Sequence, residues 1–288
     1  MSQEGSSNQL AVFRVLLGMQ IFYASHSLLL DLLQVVDGTS RETIFPEFID
    51  VQIALIAVPY LQITVQVLSV FMVLGLFTRY IMPLLFVSVL LLFSYWYSKY
   101  DAPVQWLYIW FPLLILCFGK PSDALSLDRL FNLTQKPGTI RTSQSYRWPI
   151  ELVSGWFAYI YVAAGLAKIL PFEKGVTWLD GGTSHKIIYY RFLDSALFYL
   201  FEKPFFDYSS NQWVFSALSV GSLFIELSCI VIFFTNRFNK WVLAGVILMH
   251  FFLYLTGVPG FMQTALVLGV CLLPPRVFTL PKWLAFNQ

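Results

Sequence analysis

The sequence predicts an all-α integral membrane protein, a bundle of about eight transmembrane helices with one amphipathic helix in the outer interface. Two observations support this fold class. Hydrophobic residues make up 58% of the 288 residues and charged residues only 12%, whereas a soluble domain carries roughly 25% charge. The apolar residues also fall into long runs, which is the pattern of helices that cross a bilayer. We therefore expect one transmembrane domain over residues 1–288, with no separate soluble domain.

Hydropathy divides the chain into eight apolar stretches that we interpret as spans. They are Leu10–Leu30, Ile53–Phe77, Ile81–Tyr97, Val104–Phe118, Trp148–Leu170, Trp213–Thr235, Trp241–Gly257 and Phe261–Leu273. The fourth and the eighth are short for a hydrocarbon core of about 30 Å. Pro112 also lies inside the fourth, so these two stretches are either full crossings or tilted or re-entrant segments.

The distribution of Lys and Arg predicts the orientation. With the N-terminus inside, ten of these residues fall in inner loops and six in outer loops. Because basic residues are retained on the cytoplasmic side, we expect a multi-pass protein of the cell membrane with both termini in the cytoplasm. The net charge of only +2 and the absence of a Lys/Arg-rich run argue against a nucleic-acid partner. We expect the lipid bilayer to surround the helices.

The outer connection Pro171–Gln212 contains a helix of a different kind, predicted over Ile187–Phe201. Arg191, Asp194 and Ser195 recur there at positions i, i+3 and i+4, with apolar residues around the rest. This pattern is typical of a helix that lies in the membrane interface. We interpret it as a surface anchor that caps the bundle, in preference to a substrate gate.

Charged or titratable side chains within the spans are the candidates for chemistry, because such groups are costly in hydrocarbon and are usually paired or functional. They are Arg14, His26, Glu151, Lys168, Glu226 and His250. A rise of about 1.5 Å per residue sorts them into levels across the membrane. No metal site is predicted, since the histidines fall at different levels and there is no H-E-x-x-H motif.

Two of these levels predict pairs between helices. Arg14 and Glu151 both lie near the inner ends of their spans, and we expect them to form a structural ion pair. Glu226 and His250 fall at nearly the same depth. They form either a proton relay or ligand-orienting pair, or a hydrogen bond that only joins two helices.

Lys168 interrupts the apolar stretch YVAAGLAKILP and is the strongest candidate for a catalytic residue. It lies about 25 Å beyond Glu151 along the same helix, at the outer level where His26 is also placed. A desolvated lysine can act as a general base, and a histidine can orient a group or relay protons. The alternative is that Lys168 extends past the end of the span to the outer surface.

Three residues share the helix face of Lys168, at i−7, i−4 and i−3. They are Tyr161, Ala164 and Gly165. The two small residues leave room beside the lysine for a neighbouring helix or for a flat ligand.

Several segments carry motifs that are spread over different helices. They are FRVLLGM at Phe13–Met19, LGLFTRY at Leu74–Tyr80, SLDRL at Ser126–Leu130, YVAAGLAKI at Tyr161–Ile169 followed by Trp178 and Gly181, and ELS at Glu226–Ser228. Together with the helix that contains His250, these segments resemble the horizontally transferred transmembrane (HTTM) family, which includes the vitamin K-dependent γ-glutamyl carboxylase.

The resemblance implies that Lys168 occupies the position of a catalytic base, and His26 is the candidate that assists it. Glu226, His250, Tyr161 and Trp178 are the candidate ligand-binding or relay residues. A quinone or a vitamin K-type hydroquinone is the class of cofactor that the family implies. Two departures argue against carboxylation itself: Tyr100–Tyr108 reads YDAPVQWLY where the carboxylase has an Asn-Asn-His signature, and Leu253 replaces an asparagine.

The leading hypothesis is therefore an HTTM-type membrane enzyme that uses Lys168 as a base on a quinol-like or other flat lipid-soluble ligand. One alternative is a non-catalytic membrane partner in peptide or toxin maturation, which holds a small peptide-substrate protein or a second membrane protein. The other is a proton-coupled transporter with a relay through Glu226 and His250.

Overall fold

The structure is a computed structural model that describes residues 6–34, 51–99, 107–131, 144–170, 178–190, 195, 198, 208–257 and 261–278. Throughout these residues every regular element is helical and none is a strand. The α-helices are α1 (Ser7–Gln34), α2 (Val51–Leu74), α3 (Thr78–Lys99), α4 (Leu107–Phe118), α5 (Leu127–Leu130), α6 (Gln144–Ile169), α7 (Gly182–Tyr190), α8 (Tyr208–Ser228), α9 (Asn239–Leu255) and α10 (Phe261–Leu272). Two 3-10 helices, Cys229–Phe233 and Pro275–Phe278, follow α8 and α10.

A helix lies at each of the eight apolar stretches, so the all-α class is confirmed. Within the described ranges, three helical segments are long and apolar enough to cross a membrane: Ala57–Leu74, Gln144–Ile169 and Ser210–Phe233. Four further segments are apolar but shorter, namely Thr78–Phe93, Leu107–Phe118, Asn239–Leu255 and Gln263–Leu272. The number of crossings stays a prediction.

The surfaces of the helices also fit a lipid environment. Along α2, the side chains of Tyr60, Ile63 and Val67 lie at the surface, and Tyr60 is 70% exposed. A stripe of large apolar side chains is rarely left in contact with water. Several helices contain an internal proline, which membrane helices tolerate because neighbouring groups satisfy the freed carbonyl. These prolines are Pro59, Pro83, Pro112 and Pro149.

The described chain divides into two compact units, Met1–Val153 with Pro274–Gln288, and Ser154–Leu273. In the first unit α1 packs against α2 and α4, α2 against α3, and α3 against α4. Along α1 the fully buried side chains recur every three or four residues, as in a helix that presents one face to its neighbours. They include Leu10, Phe13, Leu17 and Ile21. The prediction of a single domain over the whole chain stays a prediction.

A buried polar cluster joins separate parts of the first unit. Arg14, in α1, is fully buried, and its guanidinium donates to the carbonyl oxygens of Pro121, at 2.8 Å, and of Leu125. Gly75, with a φ of +67°, lies directly against it. A Cβ at Gly75 would lie 2.5 Å from the Cβ of Ser126 and 2.7 Å from Nη1 of Arg14, so a side chain is excluded there.

Asp128 completes this cluster at the start of α3. Its buried carboxylate accepts hydrogen bonds from the backbone N–H of Phe77, at 2.6 Å, and of Thr78, at 2.8 Å, and from the Thr78 hydroxyl at 2.6 Å. A carboxylate in this place satisfies N–H groups that have no partner within the helix. The motif segments FRVLLGM, LGLFTRY and SLDRL therefore meet at one point. We call Arg14, Gly75, Thr78 and Asp128 the Arg14–Asp128 cluster.

The predicted ion pair between Arg14 and Glu151 is not formed. Glu151 lies on the exposed side of α6 and pairs with Arg147, one helical turn away, at 2.5 Å. Arg14 instead has carbonyl oxygens and the negative charge of Asp128 around it. Depth estimates consider only the spans, and they cannot account for the polar segment 119–131 that supplies these acceptors.

In the second unit α8 packs against α7 and α9, and α9 packs against α10. Gly181, with a φ of +82°, lies so close to the backbone of Phe215 that a Cβ could not be accommodated. The hydroxyls of Ser184 and Ser219 share a hydrogen bond of 2.5 Å. These contacts hold α7 along the first part of α8.

The predicted interfacial helix Ile187–Phe201 lies mostly outside the described residues. Helix α7 begins before it and ends at Tyr190. Ser195 is buried, and its hydroxyl accepts a hydrogen bond from the backbone N–H of Phe198 at 3.3 Å. The interpretation as a surface anchor stays a prediction.

Candidate functional site

The buried ion pair between Lys168 and Glu226 is the centre of the candidate site. Lys168 lies one residue before the end of α6, and Glu226 lies in the last turn of α8. The Lys168 Nζ is 2.5 Å from the Glu226 Oε1, and the two side chains are only 14% and 9% exposed. Charge-assisted hydrogen bonds are stronger than neutral ones. The ammonium group is therefore held against Glu226, with most of the lysine side chain covered.

The indole ring of Trp178 covers the lysine. The Lys168 Nζ lies 4.6 Å from the centroid of the ring, within the range of a cation–π interaction. The backbone holds this tryptophan in place, because the N–H of Gly181 donates to the carbonyl oxygen of Trp178 at 3.1 Å. Gly181 in turn lies against Phe215 of α8. The ammonium thus contacts a carboxylate and an aromatic face.

Glu226 uses only one carboxylate oxygen in the ion pair. The residue is 7% exposed, and its Oε2 is buried without a hydrogen-bond partner among the described residues. A buried acceptor that lacks a donor costs roughly 1–3 kcal/mol, and such atoms are uncommon in folded proteins. The Oε2 atom therefore has the capacity to accept a further hydrogen bond.

A second polar pair in the same unit consists of Tyr161 and His250. The Tyr161 hydroxyl is 3.1 Å from the Nε2 of His250, and the two rings pack edge to face. The Nδ1 of His250 is 2.8 Å from the carbonyl oxygen of Val246. Because a carbonyl oxygen only accepts, Nδ1 carries the proton, and in the neutral ring Nε2 accepts from Tyr161. This geometry fixes the tautomer of the neutral ring.

The structure pairs the predicted site residues differently from the depth estimates. Glu226 pairs with Lys168, and His250 pairs with Tyr161, so the predicted pair of Glu226 and His250 is not formed. The end of α6 meets the last turn of α8, where Gly165 lies directly against Glu226 and Leu227. Counting residues from the start of the span at Trp213 cannot detect this offset.

His26 lies in α1, and its side chain is exposed. It belongs to the first unit, whereas Lys168 belongs to the second. Its role as an assistant to Lys168 stays a prediction.

Gly165 sets how closely α6 and α8 approach beside the ion pair. A Cβ at this position would lie 3.0 Å from the Cδ2 of Leu227 and 3.2 Å from the Cβ of Glu226. We expect Gly165→Leu to lower the apparent melting temperature in detergent by several degrees, because overpacking costs about 1–3 kcal/mol. Gly221→Leu, in α8, is the matched control, since a Cβ there meets nothing within 4 Å. Equal effects of the two substitutions would contradict this close approach.

Fold and site together define an all-helical protein with helices of membrane-spanning length and a buried ion pair between two of its helices. Comparison with known proteins finds no matching family model, no matching curated protein and no matching solved structure. Inference about function therefore starts from the residues of this chain.

Proposed function

We propose that this chain is a polytopic membrane enzyme of the HTTM type, with about eight spans and a base site at Lys168. Three features support the membrane arrangement: helices at all eight apolar stretches, three helical segments of spanning length, and the excess of Lys and Arg in one set of loops. In this arrangement the chain is a multi-pass protein of the cell membrane, and both termini lie in the cytoplasm.

The observation that carries the proposal is the buried ion pair between Lys168 and Glu226. Removing two charges from water is expensive, and apolar residues of similar size often stabilise a protein as well or better. A buried ion pair is therefore a poor means of gaining stability. Within membrane helices, such groups are typical of sites that bind ligands or move protons.

Lys168 serves as the proton acceptor, and Glu226 receives the proton that the ammonium must first release. That transfer runs along the hydrogen bond of 2.5 Å and leaves a neutral amine beside a neutral carboxyl group. The amine then takes a proton from the ligand, and the ammonium that forms balances the charge left on the ligand. The net charge of the site is zero at every stage, which a low-dielectric interior favours.

The residues of the site fit a flat lipid-soluble ligand of the quinol type. Such a ligand supplies an acidic O–H group and an apolar ring. The buried Oε2 of Glu226 can accept a hydrogen bond, and the indole of Trp178 provides an aromatic surface beside Lys168.

The proposal is tested by identifying the small molecules that co-purify with the protein, using mass spectrometry. We expect a quinone or quinol with the wild-type chain and several-fold less with Lys168→Met/Glu226→Gln, which removes both charges of the site. Arg147→Gln/Glu151→Gln is the matched control, because it removes an ion pair of the same charges from the exposed side of α6.

Phospholipid alone in all three proteins would contradict the base site. If the wild-type chain then also captured a second membrane protein or a peptide substrate, a non-catalytic role in peptide maturation would be the better interpretation.

A further inference from the structure

We propose that the Oε2 of Glu226 selects the ligand, so that the site takes an uncharged lipid-soluble molecule with an O–H or N–H donor. The same molecule without that donor is rejected. This inference rests on the proposed function, because both place the ligand beside Lys168. It adds a requirement that the base role alone does not impose.

Glu226 has hydrogen-bond capacity that the ion pair does not use. An ionised carboxylate accepts at both oxygens, with about four lone-pair positions. The Oε1 receives the Lys168 ammonium, whereas the buried Oε2 has no partner within the described part of the chain. A donor brought by a ligand therefore gains a charge-assisted hydrogen bond, and a ligand without one leaves the oxygen unsatisfied.

The ion pair also restricts the charge of the ligand. Lys168 and Glu226 already neutralise each other at 2.5 Å. An anionic ligand at Oε2 would meet the carboxylate directly, and a cationic ligand would compete with the ammonium for it. Both arrangements leave an uncompensated charge in a buried place, which costs far more than a neutral hydrogen bond yields. An uncharged donor is the class that fits.

The other polar groups of the site do not donate to Oε2. The Tyr161 hydroxyl donates to the Nε2 of His250, and the Nδ1 of His250 donates to Val246. The ammonium of Lys168 is shared between Glu226 and the face of Trp178. None of these groups makes a hydrogen bond to Oε2 within the described residues.

The test compares two probes with the same aromatic ring, 2-naphthol and 2-methoxynaphthalene, which differ only in the O–H donor. Their binding to the purified full chain in detergent is measured by equilibrium dialysis. We expect the wild-type protein to bind 2-naphthol at least about tenfold more tightly, as a hydrogen bond to a charged acceptor implies. Glu226→Gln should remove most of this preference.

Arg147→Gln/Glu151→Gln should keep the wild-type preference, and it also corrects for partition of the probes into the micelle. Lys168→Met/Glu226→Gln replaces Glu226→Gln in the assay if the single variant does not remain folded. In one outcome the wild type binds both probes equally and the double variant binds neither. That result would overturn the donor requirement but not the base site. A preference that persists without the carboxylate would also overturn the donor requirement. No binding of either probe would overturn both proposals.

Discussion

Replacing Lys168 with methionine is expected to lower the free energy of unfolding by about 3 kcal/mol or more, because the Glu226 carboxylate then stays buried without its partner. In Lys168→Met/Glu226→Gln neither charge remains, and most of the stability should return. Denaturant unfolding of the wild type, the two single variants and the double variant in detergent gives the coupling energy through a double-mutant cycle.

The pair formed by Arg147 and Glu151 provides the control for this cycle. It lies on the same helix, also at 2.5 Å, but its side chains are 34% and 55% exposed. The expected coupling is only about 0.3–0.5 kcal/mol, since solvent screens an exposed pair at i, i+4. Coupling energies of the same small size for both pairs would show that Lys168 and Glu226 are not isolated from solvent.

The second large effect is expected at Asp128, in the Arg14–Asp128 cluster. Asp128→Asn should lower the free energy of unfolding by about 3 kcal/mol, because hydrogen bonds to a charged acceptor contribute about 1.5–3 kcal/mol each. The carboxylate uses both oxygens for the N–H groups of Phe77 and Thr78 and for the Thr78 hydroxyl. An amide offers one oxygen only, and Arg14 also loses the negative charge nearby. Thermal unfolding in detergent measures the loss.

Lys120→Gln is the control for this substitution. It removes a charge from the same polar segment, but the Lys120 side chain is exposed. Its melting temperature should stay within a degree or two of the wild type, since surface substitutions are usually near neutral. If Asp128→Asn had the same melting temperature as Lys120→Gln, the carboxylate would not stabilise the start of α3.

Much of the helical architecture follows from the composition and the apolar runs. The long runs predict helices because a buried backbone in lipid must satisfy its own hydrogen bonds, and helices do lie at all eight stretches. The conformation of the turn at Leu74–Tyr80 could not be predicted from the apolar runs. Its conformation depends on Asp128, which lies about fifty residues later in the chain and contacts it only in the folded protein.

The candidate site was partly within reach of sequence reasoning. Helical spacing places Tyr161 and Gly165 on the face of α6 that carries Lys168. Both are buried in the structure, and Gly165 allows α8 to approach. Which residues meet across helices could not be obtained from depth. Depth treats every helix as beginning at the same level, whereas in the structure Glu226 lies beside the end of α6.

The Arg14–Asp128 cluster has a consequence for the way in which the protein enters the membrane. Arg14 lies in α1, but its acceptor Pro121 follows 107 residues later, and Leu125 and Asp128 come later still. A charged guanidinium in a nascent apolar helix is unfavourable in hydrocarbon. Helix α1 therefore reaches its final environment only after α2, α3 and α4 have left the ribosome. Insertion of the first unit should be cooperative. It is complete only when the polar segment 119–131 supplies the acceptors of Arg14.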